Sequence, residues 1–198
     1  MDMKRRQTVA AMALGTLVVL AGGRIPLGRA ESAGQPVIYY AELRKNNGEL
    51  YVDADINLTL NPRLEDALMK GVALYFTLEF NISKPRWYWL DADVVGKKNT
   101  FRIYYHAITR SFRMTVSNLH HSFATLEEAL NTMAHIRNWS VGSAGRLDTG
   151  TRYVAELRFK LDTSLMPKPF QVTATTNSDW HLESDWLRWE FTQENPEE

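Results

Sequence analysis

The chain has no cysteine among its 198 residues. Disulfides, thiolate-bound metal ions and a cysteine nucleophile are therefore excluded. Without disulfides, the fold must be stabilised by a hydrophobic core. The composition supplies one, because 44% of the residues are hydrophobic and 23% are charged, as in ordinary globular domains.

The sequence also lacks an excess of positive charge. Lys and Arg number 23, and Asp and Glu number 23. Five of the basic residues and one of the acidic residues lie within the first 30 positions, so the remainder carries a net charge of −4. Because binding to nucleic acid needs a clustered excess of Lys and Arg, we expect no nucleic-acid partner.

The sequence lacks an apolar run long enough for a typical membrane span; its main uncharged run is shorter. It covers residues 9–23 and follows three basic residues at 4–6. This is the layout of a secretory signal peptide, and a bilayer span takes about 20 residues. Residues 1–30 are therefore predicted to be a signal peptide or an N-terminal membrane anchor. We expect an exported protein, either periplasmic or anchored in the inner membrane and facing the periplasm.

Alternation of apolar and polar residues dominates the rest of the chain. Residues 50–60 place six aliphatic side chains on one face, and residues 72–82 repeat the pattern. Strands of this kind have one face for a core and one for water, which favours antiparallel sheets. Shorter alternations occur at 37–43, 101–107, 112–116, 151–161, 170–174 and 187–191.

Local signals between these runs predict two helices and one hairpin turn. Thr125 and Glu128 form a capping box at the start of a helix over 125–137, whose apolar stripe should cover the sheet. A shorter helix is predicted between Asn61 and Gly71. The most distinct hairpin turn is Asn46-Asn47-Gly48, because Asn-Gly tolerates the positive φ that such turns require.

Together these signals predict a mainly β fold in a single domain. About nine amphipathic strands favour a two-sheet antiparallel β-sandwich, Ig-like in general architecture, with one or two short helices. The domain is expected to cover residues 36–192. Residues 193–198 are predicted to be a polar tail.

An aromatic stretch at 81–95, NISKPRWYWLDADVV, suggests where a ligand binds. Pro85 marks a break between two strands, and in the second strand two tryptophans and two aspartates alternate onto one face. Indoles stack on sugars, lipids or protein side chains, and carboxylates fix orientation. Alternatively, the tryptophans form a second small core. With three C-terminal tryptophans, the candidate binding residues are Trp87, Trp89, Asp91, Asp93, Trp180, Trp186 and Trp189.

Catalysis and metal binding have weaker support in the sequence. Asp53 and Asp55 could supply a glycosidase-like carboxylate pair with Asp91 and Asp93, but acids on the outward face of a strand are usually solvated. His120 and His121 are adjacent and point to opposite faces of an extended chain. We therefore expect no enzyme, metal or cofactor. A carbohydrate-active hydrolase using paired carboxylates and a purely structural envelope protein remain the alternatives.

Four blocks of the sequence resemble a known family. They cover residues 73–91, 101–115, 120–139 and 166–191, and they resemble the proteobacterial family of domain of unknown function 4390. The resemblance implies an exported or membrane-anchored protein of Gram-negative bacteria, often encoded near a membrane sensor histidine kinase related to nitrogen regulation. The function predicted from sequence is thus a non-enzymatic binding domain of the envelope, with an envelope protein or a small molecule as its partner.

Overall fold

The computed structural model describes residues 34–85 and 92–193. Within these residues the chain forms nine strands and three short α-helices. The strands are β1 Val37–Asn46, β2 Glu49–Asn57, β3 Leu74–Lys84, β4 Ala92–His106, β5 Ser111–Val116, β6 Leu119–Phe123, β7 His135–Ser143, β8 Arg152–Leu161 and β9 Leu187–Thr192. The helices are α1 Pro62–Met69, α2 Leu126–Ala134 and α3 Lys168–Thr176. None of the helices described is long and apolar enough to cross a bilayer.

The strands form two antiparallel sheets. The smaller sheet has the order β1-β2-β7, and the larger has the order β6-β5-β4-β3-β8-β9. The predicted two-sheet antiparallel sandwich is therefore confirmed. The predicted signal peptide or anchor at 1–30 lies outside the described residues.

A single hydrophobic core lies between the sheets. Strand β2 contributes the alternate residues from Leu50 to Ile56, all of them buried. Strand β3, at the centre of the larger sheet, contributes Phe76 and Phe80, which are both fully buried. The ring of Phe80 lies 6.3 Å from that of Trp139 on β7, so this aromatic contact joins the two sheets.

The predicted local signals at the hairpin and the two helices are confirmed. Asn47 and Gly48 both have positive φ, 49° and 79°, and connect β1 to β2. The Thr125 hydroxyl accepts a hydrogen bond from the Glu128 amide, and the Glu128 carboxylate accepts one from the Thr125 amide. At the start of α1, the Asn61 side-chain oxygen accepts a hydrogen bond from the Leu64 amide.

The strand predicted at 170–174 is wrong, because these residues lie in α3. Pro169 occupies the first turn of that helix, where proline is favoured. Phe170 and Ala174 are one helical turn apart and share a face; Ala174 is buried and Phe170 packs on Trp180. Tertiary packing thus overrides the β preference of the Val and Thr residues between them.

The helix predicted over 125–137 ends at Ala134, and β7 begins at once at His135. Strand β7 was missed because its alternation is irregular. Asn138 has a φ of 51° and lies within one of the two register shifts between β7 and β2; the other shift is at Val141. Strand β6 was also missed, because nearly all of its side chains are exposed and carry no apolar period.

Candidate functional site

The aromatic stretch is only partly described by the structure. Trp87, Trp89 and Asp91 lie outside the described residues. Asp93 is exposed on β4, where it pairs with Ser83 of β3. The prediction that these four residues share a binding face therefore stays a prediction.

The three C-terminal tryptophans do not come together. Trp180 is 3% exposed, and its ring packs 5.6 Å from that of Phe170. Trp189 points to the inner side of β9, where its ring lies 6.2 Å from that of Phe80. Trp180 and Trp189 are thus packing residues.

Trp186 has a different position from the other two. It precedes β9 and lies against the outward side of the larger sheet, half-buried. Its ring lies 4.4 Å from the guanidinium carbon of Arg158 on β8. This is a cation–π contact, which orients both the indole and the guanidinium.

Arg158 belongs to an ion cluster on this outward side, which we call the Glu79 cluster: Glu79, Lys98, Arg158, Lys160 and Glu183. One carboxylate oxygen of Glu79 lies 2.8 Å from Lys98 Nζ and 3.1 Å from Lys160 Nζ. The other accepts hydrogen bonds from Arg158 Nη2 at 2.6 Å and Nε at 3.2 Å. The second terminal nitrogen of Arg158 donates to Glu183.

Strand register explains why these residues meet. Glu79 lies on the central strand β3, directly opposite Lys98 on β4 and Arg158 on β8. Burial, with 7% of the Glu79 side chain exposed, raises the pKa of this carboxyl. Hydrogen bonds from the three cations outweigh burial and lower the pKa to about 2. Glu79 therefore stays ionised and fixes the positions of the cations around it.

The outer face of the larger sheet, formed by the outward-pointing side chains of β3 to β6, β8 and β9, continues this polar surface. Arg188 on β9 pairs with Glu156 on β8 at 2.5 Å. Towards the other edge, the guanidinium carbon of Arg102 lies 4.6 Å from the ring centre of Tyr104, both on β4. The outer face thus carries arginine and aromatic side chains across most of its width.

The acidic pair proposed for hydrolysis is engaged in ion pairs. Asp53 binds Arg44 and Asp55 binds Arg137, each at 2.6 Å, on the outward side of the smaller sheet. Asp53 also accepts a hydrogen bond from the Asn138 amide at 2.6 Å. These contacts tie β1, β2 and β7 together. Across the described part of the chain, no group of three His, Asp or Glu side chains is placed to hold a metal ion.

A groove of about 720 Å³ lies elsewhere, between α2 and the segment joining β2 to α1. Leu58, Leu60 and Leu130 form apolar parts of its wall. Glu65 and Glu127 also line it and are exposed. Of the candidate binding residues that the structure describes, Asp93, Trp180, Trp186 and Trp189, none lines it. The groove is therefore separate from these four residues.

Sequence reasoning missed Glu79 and its partners as a site. Its signal was present, since Glu79 lies on the polar side of an alternating strand, as do Arg158 and Lys160. What the sequence lacked was the pairing of β3 with β8, strands that are 79 residues apart at this contact.

Comparison with known proteins identifies the family to which the chain belongs. The model of a domain of unknown function, DUF4390, matches residues 33–190. No curated protein and no solved structure matches the chain.

Proposed function

The chain belongs to the DUF4390 family, a family of unknown function, so we propose a function from the site itself. We propose that the protein is an exported, non-enzymatic domain that binds a partner protein of the cell envelope on its outer face. The observation that carries the proposal is the pair formed by Trp186 and Arg158 beside the Glu79 cluster. Trp, Tyr and Arg are the residues that dominate binding energy in protein interfaces.

The Glu79 cluster prepares Arg158 for binding. Glu79 and Glu183 hold two sides of the guanidinium, while Trp186 covers its plane. A side chain held in this way loses little conformational entropy when a partner docks, so more of the contact energy appears as affinity. The strand pairing of a sheet also holds its side chains in fixed positions, which suits an extended protein surface.

Export and the nature of the partner rest on the sequence. Residues 1–30 have the layout of a signal peptide or anchor. The family resemblance makes a membrane sensor histidine kinase the first partner to test, with this domain as its accessory.

Site-specific photocrosslinking in the host cell tests the proposal. A photoreactive residue at Arg188, on the outer face beside Trp186, should give a discrete adduct with an envelope protein, identified by mass spectrometry. The same residue at Glu42, exposed on β1 of the smaller sheet, is the matched control and should give no such adduct.

The variant Trp186→Ala should abolish the Arg188 adduct, because it removes the indole that orients Arg158. Its melting temperature should stay close to that of the wild type, since Trp186 is half-buried and outside the core. An adduct obtained equally from Glu42, or one that survives Trp186→Ala, would show that the partner does not dock on the outer face.

A further inference from the structure

Two arginines on the outer face differ from all the other cations of the larger sheet described above. Arg102 on β4 lies opposite Thr115 on β5, and Arg113 on β5 lies opposite Tyr104 on β4. The two arginines are therefore diagonal neighbours on one face, with Cα atoms about 7–8 Å apart as in any antiparallel pair. Their like charges repel, although less than like charges placed directly opposite each other would.

The other outward cations each have a carboxylate. Lys98, Arg158 and Lys160 surround Glu79, and Arg188 binds Glu156. Among the residues that the structure describes, no carboxylate lies within 4.0 Å of the Arg102 or Arg113 guanidinium. Within the described residues, the positive charge at this edge of the outer face therefore has no carboxylate partner.

Arg113 provides an independent observation. Its Nε atom is buried and has no hydrogen-bond acceptor in the described structure. Leaving the donor of a charged group buried and unpaired costs more than leaving a neutral donor unpaired. Nε is closed to solvent, so an oxyanion would meet the terminal nitrogens of Arg113, and charge-assisted hydrogen bonds there would offset the cost of the buried group.

Several neighbours of the two arginines carry hydroxyl groups. Thr115 accepts or donates a hydrogen bond with His120 Nδ1 at 3.0 Å, and Ser122 lies opposite Arg113 on β6. On the other side, Tyr75 of β3 lies opposite Arg102. Hydroxyl groups and guanidiniums both donate hydrogen bonds to the oxygens of phosphate and carboxylate groups.

From these observations we propose that Arg102 and Arg113 form a binding site for an oxyanion, a phosphate or carboxylate group, on the surface of β4, β5 and β6. Arg113 binds the anion through its terminal nitrogens, and Arg102, held over Tyr104, binds it from the neighbouring strand. The inference deepens the proposed function, because it gives the chemistry of the group that a partner presents to this edge of the outer face.

The test uses the full chain and inorganic phosphate. The arginine Nε–Hε resonances are followed by NMR during a phosphate titration at constant ionic strength. We expect saturable shifts at Arg102 and Arg113, and binding at least about tenfold weaker in Arg102→Gln, the loss of one charged hydrogen-bonding group. Arg188→Gln, at the opposite edge, should leave phosphate binding unchanged.

A second arm separates the sources of the anion. Vesicles of phosphatidylglycerol in phosphatidylcholine are compared with phosphatidylcholine alone. Binding of both phosphate and the anionic vesicles, lost in Arg102→Gln, assigns the site to a lipid headgroup; binding of phosphate alone assigns it to a soluble or protein-borne anion. Either result supports the site.

Unchanged phosphate binding in Arg102→Gln, or equal shifts at Arg188, would overturn the inference. Arg113→Lys provides a second variant, because it keeps the charge and removes the two-pronged donor. It should weaken phosphate binding while the chain stays folded. Since no partner is present in this experiment, its failure leaves the crosslinking test of the proposed function intact.

Discussion

A single carboxylate organises the middle of the outer face. Glu79 lies on the central strand, where burial alone would favour its protonated form. Three cations from two neighbouring strands reverse this preference, and each of them also gains a fixed position. A polar surface that is ordered before binding thus depends on one residue of β3.

The ionisation of Glu79 predicts how stability depends on pH. Its pKa falls from an ordinary value of 4.5 to about 2 in the folded chain. Because the folded-state pKa is the lower one, the contribution is fully present above about pH 4.5 and is lost as the pH falls towards 2. We expect a loss of about 3 kcal/mol in the free energy of unfolding over this window, measured by urea denaturation.

The variant Glu79→Gln should remove most of that pH dependence and lower stability at neutral pH, because three cations lose their shared carboxylate. Glu183→Gln is the matched control. Half of that side chain is exposed and it contacts Arg158 alone in the cluster, so its effect should be small. Equal pH profiles for the wild type and Glu79→Gln would contradict the assigned ionisation.

At the scale of single elements, the β1–β2 hairpin depends on backbone conformation at its turn. Gly48 has a φ of 79° and open space where a Cβ would stand, so Gly48→Ala changes backbone strain and nothing else nearby. We expect a loss of about 1 kcal/mol in the free energy of unfolding. Gly145→Ala, where φ is not positive and the nearest atom is 3.5 Å away, should change stability by much less.

Helix α2 depends on its capping box. Thr125→Ala removes the acceptor for the Glu128 amide and should lower the free energy of unfolding by about 1 kcal/mol. Thr132→Ala, near the C-terminal end of α2, is the control. It removes a hydroxyl that donates to the Glu128 carbonyl, and it replaces Thr with a better helix former. Chemical denaturation should therefore show no loss for Thr132→Ala; equal losses for the two variants would argue against the cap.

These elements also show which parts of the fold can be predicted from sequence. Strands β2 and β3 were predicted because one face of each lies on the core, which imposes period two on the residues. Strand β7 was not predicted, because a positive φ at Asn138 breaks the period of two. The Glu79 cluster was not predicted for another reason. Its formation depends on which strands pair and in what register, and tertiary structure rather than any local run of residues decides this pairing.

At the scale of the whole molecule, the two sheets stabilise each other through one core. The smaller sheet has three strands, and without the larger sheet it would expose its buried row from Leu50 to Ile56 to water. A sheet whose apolar face is left in water loses the hydrophobic burial that stabilises it. The sheets should therefore unfold in one cooperative step rather than in sequence.

Trp139 tests this coupling, since its ring meets Phe80 across the core. Trp139→Leu should lower the free energy of unfolding by about 2 kcal/mol through lost aromatic contact and buried area. The midpoints measured by far-UV circular dichroism and by tryptophan fluorescence should fall together. Trp186→Leu, on the outer face, should leave both nearly unchanged. Separate midpoints in Trp139→Leu would mean that the smaller sheet unfolds independently, and that the core joins the sheets less tightly than the contact between Trp139 and Phe80 implies.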